Sequence, residues 1–231
     1  MNILAIITAR GGSKGIKNKN LYLLKGKPLI YYTINSAIKS KFLKNIVLST
    51  DSLKIKNYVK KFKQIDVPFL RPKKLAGDNA LTLPVLKYTL LKYEKMIKKN
   101  FDYVLLLQPT CPLRSSYDID SAIELLLKNK VDSVISVTDV GANHPFRMKK
   151  ILSNGKLINF IKQKEIDNMM PRQSLPKAYI RNGAIYITSR KLIMKNFISS
   201  KDAIAYPMPE ERSINIDGLS DITLAKSFIS K

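Results

Sequence analysis

Short apolar runs alternate with stretches of helical period along the first 140 residues. Residues 3–7, 46–49, 103–107 and 134–137 are compact apolar runs of strand length. The first three are each followed by a segment with apolar positions every three or four residues, at 29–38, 53–62 and 119–127. In the last of these, Ile119, Ala122, Ile123, Leu126 and Leu127 fall at i, i+3, i+4, i+7 and i+8, which makes one buried stripe on a helix. Alternation of this kind predicts an α/β fold with a mostly parallel sheet covered by helices on both faces. Pro28 and Pro84 are expected in the first turns of helices over 29–38 and 85–97, where a missing N–H costs nothing.

In open α/β sheets ligands lie beyond the carboxyl ends of the strands, so the residues that follow each run are the first place to look for chemistry. Those positions hold residues 10–20, Thr50-Asp51-Ser52, Gln108 through Arg114, and Ile216-Asp217-Gly218. The first is the richest. Gly11, Gly12 and Gly15 let backbone amides close on an anion, and Arg10, Lys14, Lys17 and Lys19 crowd positive charge onto the same loop. The combination predicts a polyphosphate cradle. No Gly-Lys-Ser/Thr follows at Walker spacing and no Gly-x-Gly-x-x-Gly is present, so neither a standard NTPase nor a dinucleotide oxidoreductase is favoured. For Asp51, capping the next helix and a role in the site are equally good readings.

After Asp139 the alternation stops. Residues 141–181 carry His144-Pro145, Gly155, Pro171 and Pro176 amid polar stretches, and a strand-like run resumes at 184–187. An irregular stretch of this length inside a compact domain is usually functional or used in assembly, so 141–181 is expected to form an arm or hairpin that pairs with a second subunit. With no repeats or low-complexity linkers, residues 1–231 are expected to form one domain.

Composition narrows the chemistry. At 45% hydrophobic content the 231 residues can bury a substantial core. No apolar run reaches the roughly 18 residues of a membrane span, and Met1-Asn2 leads straight into a strand with no leader pattern, so a cytoplasmic protein without a membrane partner is expected. Cys111 is the only cysteine and His144 the only histidine, which excludes an intramolecular disulfide and Cys- or multi-His metal sites and leaves carboxylates or amides as ligands. The net charge of +24 invites a nucleic-acid reading, but 33 of the 41 basic residues are lysines spread over nearly every segment rather than clustered arginines. The field suits anionic substrates instead.

Four blocks then converge: Ala9-Arg10-Gly11-Gly12-Ser13-Lys14-Gly15 with Lys19-Asn20; Leu106-Leu107-Gln108-Pro109-Thr110-Cys111-Pro112-Leu113-Arg114; Arg172-Gln173-Ser174-Leu175-Pro176; and Asn182-Gly183-Ala184-Ile185-Tyr186-Ile187. Together with Arg71-Pro72, Leu75-Ala76-Gly77-Asp78 and Ile214-Asn215-Ile216-Asp217, they resemble in order the CMP-sialic acid synthetases, or acylneuraminate cytidylyltransferases. The first loop alone is shared with the CMP-Kdo synthetases. The resemblance implies a Rossmann-like three-layer α/β/α fold of the nucleotide-diphospho-sugar transferase type with a dimerisation arm. The implied reaction joins CTP and a nine-carbon 2-keto acid sugar of the sialic, legionaminic or pseudaminic type, with Mg²⁺ or Mn²⁺, into CMP-sugar and pyrophosphate.

The site residues follow from the same resemblance. Arg10, Ser13, Lys14, Lys19 and Asn20 are expected on the triphosphate, with Arg10 and Lys19 stabilising the leaving group. Arg71, Ala80 and Thr82 are expected at the cytidine, and Gln108, Asn182 and Tyr186 at the sugar. Arg172 matches the arginine of the family's dimerisation arm, placed to clamp the sugar carboxylate. Asp217 is expected to ligand the metal. Relatives commonly carry Asp-x-Asp where this chain has Asn215-Ile216-Asp217, so Asn215 is a doubtful ligand and weaker metal affinity is expected. Cys111 is assigned a packing role and Asp221 the N-terminus of the final helix. A CMP-Kdo synthetase is the alternative within the class, and a basic nucleic-acid-binding protein the alternative outside it.

Overall fold

A computed structural model describes residues 1–13, 15–161 and 171–229, leaving aside the side chain of Arg172. In chain order the elements are β1 (Ile3–Thr8), β2 (Leu23–Leu24), β3 (Lys27–Pro28), α1 (Leu29–Ile38), β4 (Asn45–Ser49), α2 (Leu53–Val59), α3 (Thr82–Ile97), β5 (Tyr103–Leu107), α4 (Ser116–Asn129), β6 (Ser133–Asp139), β7 (Lys149–Ile151), β8 (Leu157–Asn159), β9 (Tyr179–Ser189), α5 (Arg190–Met194), β10 (Ile204–Pro207) and α6 (Leu219–Phe228). The main sheet runs β10-β6-β9-β5-β1-β4. All its neighbours are parallel except β9, which lies antiparallel to both β5 and β6.

The two-residue period of β1 sorts the layers. Ile3, Ala5 and Ile7 face a core shared with Ile30 and Ile34 of α1, Ile55 of α2, and Ile119, Ala122, Ile123 and Leu126 of the predicted α4 stripe, whose fifth member Leu127 is exposed. Leu4 and Ile6 face the other side, against Leu86 and Leu90 of α3 and Ile193 of α5. This is the expected three-layer α/β/α arrangement. A third cluster, around Ile16, Leu29, Ile216 and Ile222, packs α6 under the first loop.

Several boundaries differ from expectation. Pro28 ends β3 and precedes α1 with extended backbone, φ −56° and ψ 143°, so it sets the helix entry instead of sitting in the first turn. Helix α3 begins two residues before Pro84, and α2 stops at Val59 instead of running to 62. The stretch 141–181 is not uniformly irregular: β7 and β8 form an antiparallel hairpin, and β9 begins at Tyr179.

The antiparallel β9 carries the local irregularity that shapes the site. Ile135 pairs with Tyr186 and Val137 with Arg181, so residues 182–185 stand opposite Ser136 alone. The buried Ser136 hydroxyl fills this bulge, donating to Asn182 Oδ1 at 2.6 Å and accepting from the Ile185 amide at 2.8 Å. Gly183 sits in it at φ +79°, a left-handed conformation that glycine adopts without strain.

Candidate active site

Two clefts open along the carboxyl ends of the parallel strands. The first, of about 440 Å³, is lined by Arg10, Ser13, Lys19 and Asn20 from the first loop, by Arg71, Ala80 and Thr82 from the stretch leading into α3, and by Gln108 and Asp217. The second, of about 470 Å³, is lined by Gln108, Arg181, Asn182, Gly183, Tyr186 and Asn215 among others. Gln108 is common to both. The residues expected to hold nucleotide and those expected to hold sugar therefore fall on opposite sides of one amide. Lys14 and the side chain of Arg172 lie outside the described residues; the backbone of Arg172 opens a short 3-10 turn, Arg172–Ser174.

The first loop is held from both sides. Asn20, buried, donates its amide to the Arg10 carbonyl at 2.8 Å, and Asp51 Oδ1 accepts the Gly11 amide at 2.9 Å. Asp51 also lies 3.7 Å from Arg71 Nη2. It does not cap α2, which Ser52 caps by accepting from the Ile55 amide. Sequence alone left Asp51 open between these roles, because its partner lies forty residues away. Arg71 is buried with its Nε lacking a hydrogen-bond partner among the described residues, and burial pulls its pKa down despite Asp51. A buried donor without a partner is costly, so Arg71 has bonding capacity left for a ligand. Arg10 Nη1 contacts Asp78 Oδ1 at 2.8 Å across the cleft mouth.

The far end of the chain closes the cleft floor. Residues 214–217 form no strand, but the Ile216 amide donates to Thr110 O at 2.8 Å and the Ile216 side chain is buried, so alternation still puts Asn215 and Asp217 on the outside. Lys19 Nζ donates to Ile216 O at 2.8 Å and lies 3.4 Å from Asp217 Oδ1. A Cβ on Gly15 would meet Asp217 O at 2.6 Å, so the two loops touch backbone to backbone. Asp221 accepts from the amides of Asp217 and Gly218, as expected for the start of α6.

Asn215 is not placed as a second ligand. Its Nδ2 donates to Asp217 Oδ2 at 3.0 Å, while its Oδ1 faces the Cys111 thiol at 3.7 Å. Among the described residues no group of three or more acidic, His or Cys side chains is assembled. One exposed carboxylate does fit Mg²⁺, which keeps several waters and takes phosphate oxygens readily.

Asn182 lines the second cleft but is heavily engaged: Oδ1 accepts from Ser136 and the Ala184 amide, and Nδ2 donates to Ser213 Oγ and Met208 Sδ. It braces the bulge. Tyr186 is half-buried there, and burial raises its pKa. Cys111 is buried with its thiol pushed up to about 11 by burial, a packing residue as expected and no nucleophile.

Three supports escaped the sequence reading. Arg114, fully buried, donates to Gln108 O at 3.3 Å, Ala184 O at 2.8 Å and Thr33 Oγ1 at 2.7 Å, which ties the Gln108 loop to β9 and α1. Asp118 binds Arg212 through both carboxylate oxygens and anchors the turn before Asn215. Burial pushes the Asp118 pKa up, but Arg212 and Ser115 outweigh it and hold the group below the ordinary carboxylate value. Ser136, a hydroxyl interrupting the apolar run 134–137, was the visible signal of the bulge.

Comparison with known proteins places this architecture. The cytidylyltransferase family model matches residues 4–202. The chain belongs to the cytidylyltransferase family. It is 36% identical over 229 residues to the CMP-N,N'-diacetyllegionaminic acid synthase of Campylobacter jejuni, covering 99% of this chain and 95% of that protein. It is also 36% identical over 225 residues to the N-acylneuraminate cytidylyltransferase of Streptococcus agalactiae serotype V, covering 96% of this chain but 52% of that longer protein. Its fold matches the solved CMP:2-keto-3-deoxy-manno-octonic acid synthetase complexed with CTP, with a TM-score of 0.69 at 15% identity and 98% coverage of both chains. As a cytidylyltransferase the protein is a nucleotidyltransferase that uses CTP. Among the described residues no helix is long and apolar enough to cross a membrane.

Proposed function

We propose that this cytidylyltransferase transfers CMP from CTP to the anomeric hydroxyl of a nine-carbon 2-keto acid sugar, in the cytoplasm, releasing pyrophosphate. The observation that carries the reading is the junction at Gln108, where a cleft rich in cations meets a second cleft lined by an amide, a phenol and a guanidinium. The names of the relatives, which act on legionaminate- and neuraminate-type acids, support the same substrate class.

The chain's own task is positioning and electrostatics. Arg10, Ser13, Lys19 and Asn20 hold the triphosphate, and Arg71, Ala80 and Thr82 the cytidine. Gln108 and Tyr186 orient the sugar so that its hydroxyl approaches the α-phosphate in line, and Lys19 and Arg10 neutralise charge that develops on pyrophosphate. Asp217 would hold Mg²⁺, or Mn²⁺, which supplies charge neutralisation on the phosphates when bound. We further propose a homodimer. The hairpin and the start of β9 expose Ile151, Leu157, Phe160, Tyr179 and Ile180, an apolar surface suited to a second copy, from which Arg172 would reach the partner's sugar.

Pyrophosphate release from CTP, measured with N-acetylneuraminate, legionaminate, pseudaminate and Kdo separately, tests the reading. Release with a nine-carbon acid and its loss in Asp217→Ala is the expected result. Release with Kdo alone would move the assignment to the eight-carbon acid, and no turnover with any sugar would overturn it. In the same assay Asn215→Asp should lower the Mg²⁺ concentration for half-maximal activity by about tenfold, because a donor beside Asp217 becomes a second carboxylate. An unchanged Mg²⁺ requirement would remove Asn215 from the metal account.

A further inference from the structure

Arg181 stands on the wall of the second cleft with no side-chain partner among the described residues. It lies at the edge of the β9 bulge, opposite Val137, and is exposed. Its side chain makes no hydrogen bond or ion pair with any described residue. Among the described residues that line this cleft it is the only cation, beside Gln108, Asn182, Tyr186 and Asn215. Its charge reaches Tyr186, where it offsets part of the rise in that phenol's pKa caused by burial. It does not line the first cleft, where Arg10 and Lys19 serve the triphosphate. The site thus presents separate cationic positions on either side of Gln108.

A guanidinium offers parallel N–H donors in a planar fork that matches the two oxygens of a carboxylate, and a lone one in a cleft is available without first breaking an ion pair. We propose that Arg181 anchors the carboxylate of the acidic sugar and so sets the preference of this cleft for acids over neutral sugars. The proposal rests on the function proposed above and adds its substrate-recognition residue. It assigns to a residue on the main sheet the contact that the family resemblance implied for Arg172.

The test pairs side-chain removal with charge removal on the substrate. The wild type, Arg181→Gln and Arg181→Lys are assayed at saturating CTP with the accepted sugar acid and with its methyl ester. Arg181→Gln should raise KM for the acid roughly 10–100-fold, the size expected for losing a charged hydrogen bond, while leaving KM for CTP and Tm unchanged. Arg181→Lys should recover part of the loss. Esterification should cost the wild type a similar factor and cost Arg181→Gln almost nothing more, since the two changes remove one interaction. An ester penalty undiminished in Arg181→Gln, or abolished instead by Arg172→Gln, would overturn the assignment while leaving the proposed reaction standing. Failure of the wild type to turn over any acidic sugar would overturn both together.

Discussion

Lys19→Ala is expected to lower kcat for pyrophosphate release about 10²–10³-fold, the usual cost of removing one donor aimed at developing charge. The Lys19 side chain is 13% exposed and its Nζ is already fixed by Ile216 O at 2.8 Å, so little reorganisation remains when charge builds on the leaving group. The contribution to stability should be small. Its carboxylate partner Asp217 is 77% exposed, and pairs of that kind are worth about 0–1 kcal/mol. Kinetics and thermal melting therefore separate the two roles. A large fall in kcat with a nearly unchanged Tm supports electrostatic catalysis, whereas a large fall in Tm with kcat preserved would make Lys19 a strut between the first loop and residues 216–217.

The second large effect is expected at a residue with no side chain. Gly183→Ala places a Cβ at φ +79°, where an L-residue is strained by about 1–2 kcal/mol. The new Cβ would also lie 2.9 Å from Gln108 Oε1 and 3.5 Å from Cys111 Sγ. The amide is the part that can yield, and it would yield by swinging out of the junction between the clefts. A misplacement of this order can cost about 10²-fold in kcat/KM. Gln108→Ala should lose a similar factor, and the double variant should be little worse than either single one, because both act through the same amide. Additive losses would show that Gly183 matters for a reason other than Gln108.

Much of the scaffold was legible in the order of residues. The limits of α1 and β5 were predicted to the residue, and four of the five stripe positions of α4, Ile119, Ala122, Ile123 and Leu126, pack in the core. Local period and strand length carry that information, because both depend on neighbours within a few positions. The fifth stripe position, Leu127, is 43% exposed, since burial near a helix end depends on what packs over it, which spacing does not show. The cationic loop was legible for the same reason, since its glycines and cations are adjacent in sequence.

What remained open depended on partners far along the chain. Asp51 turned from a possible cap into a brace of Gly11, forty residues away, and Asn215 turned its amide nitrogen toward Asp217 and its oxygen toward Cys111. The antiparallel insertion of β9 between β5 and β6 was not visible in its apolar run, which reads alike in either direction. Yet that insertion, with the bulge over Ser136, brings Arg181, Gly183 and Tyr186 to the edge of the Gln108 loop. Sequence by itself determined the layers and the cationic glycine-rich loop, through short-range period and adjacency. Tertiary structure decided the second cleft, because its walls come from segments up to about a hundred residues apart that meet only when the sheet is assembled.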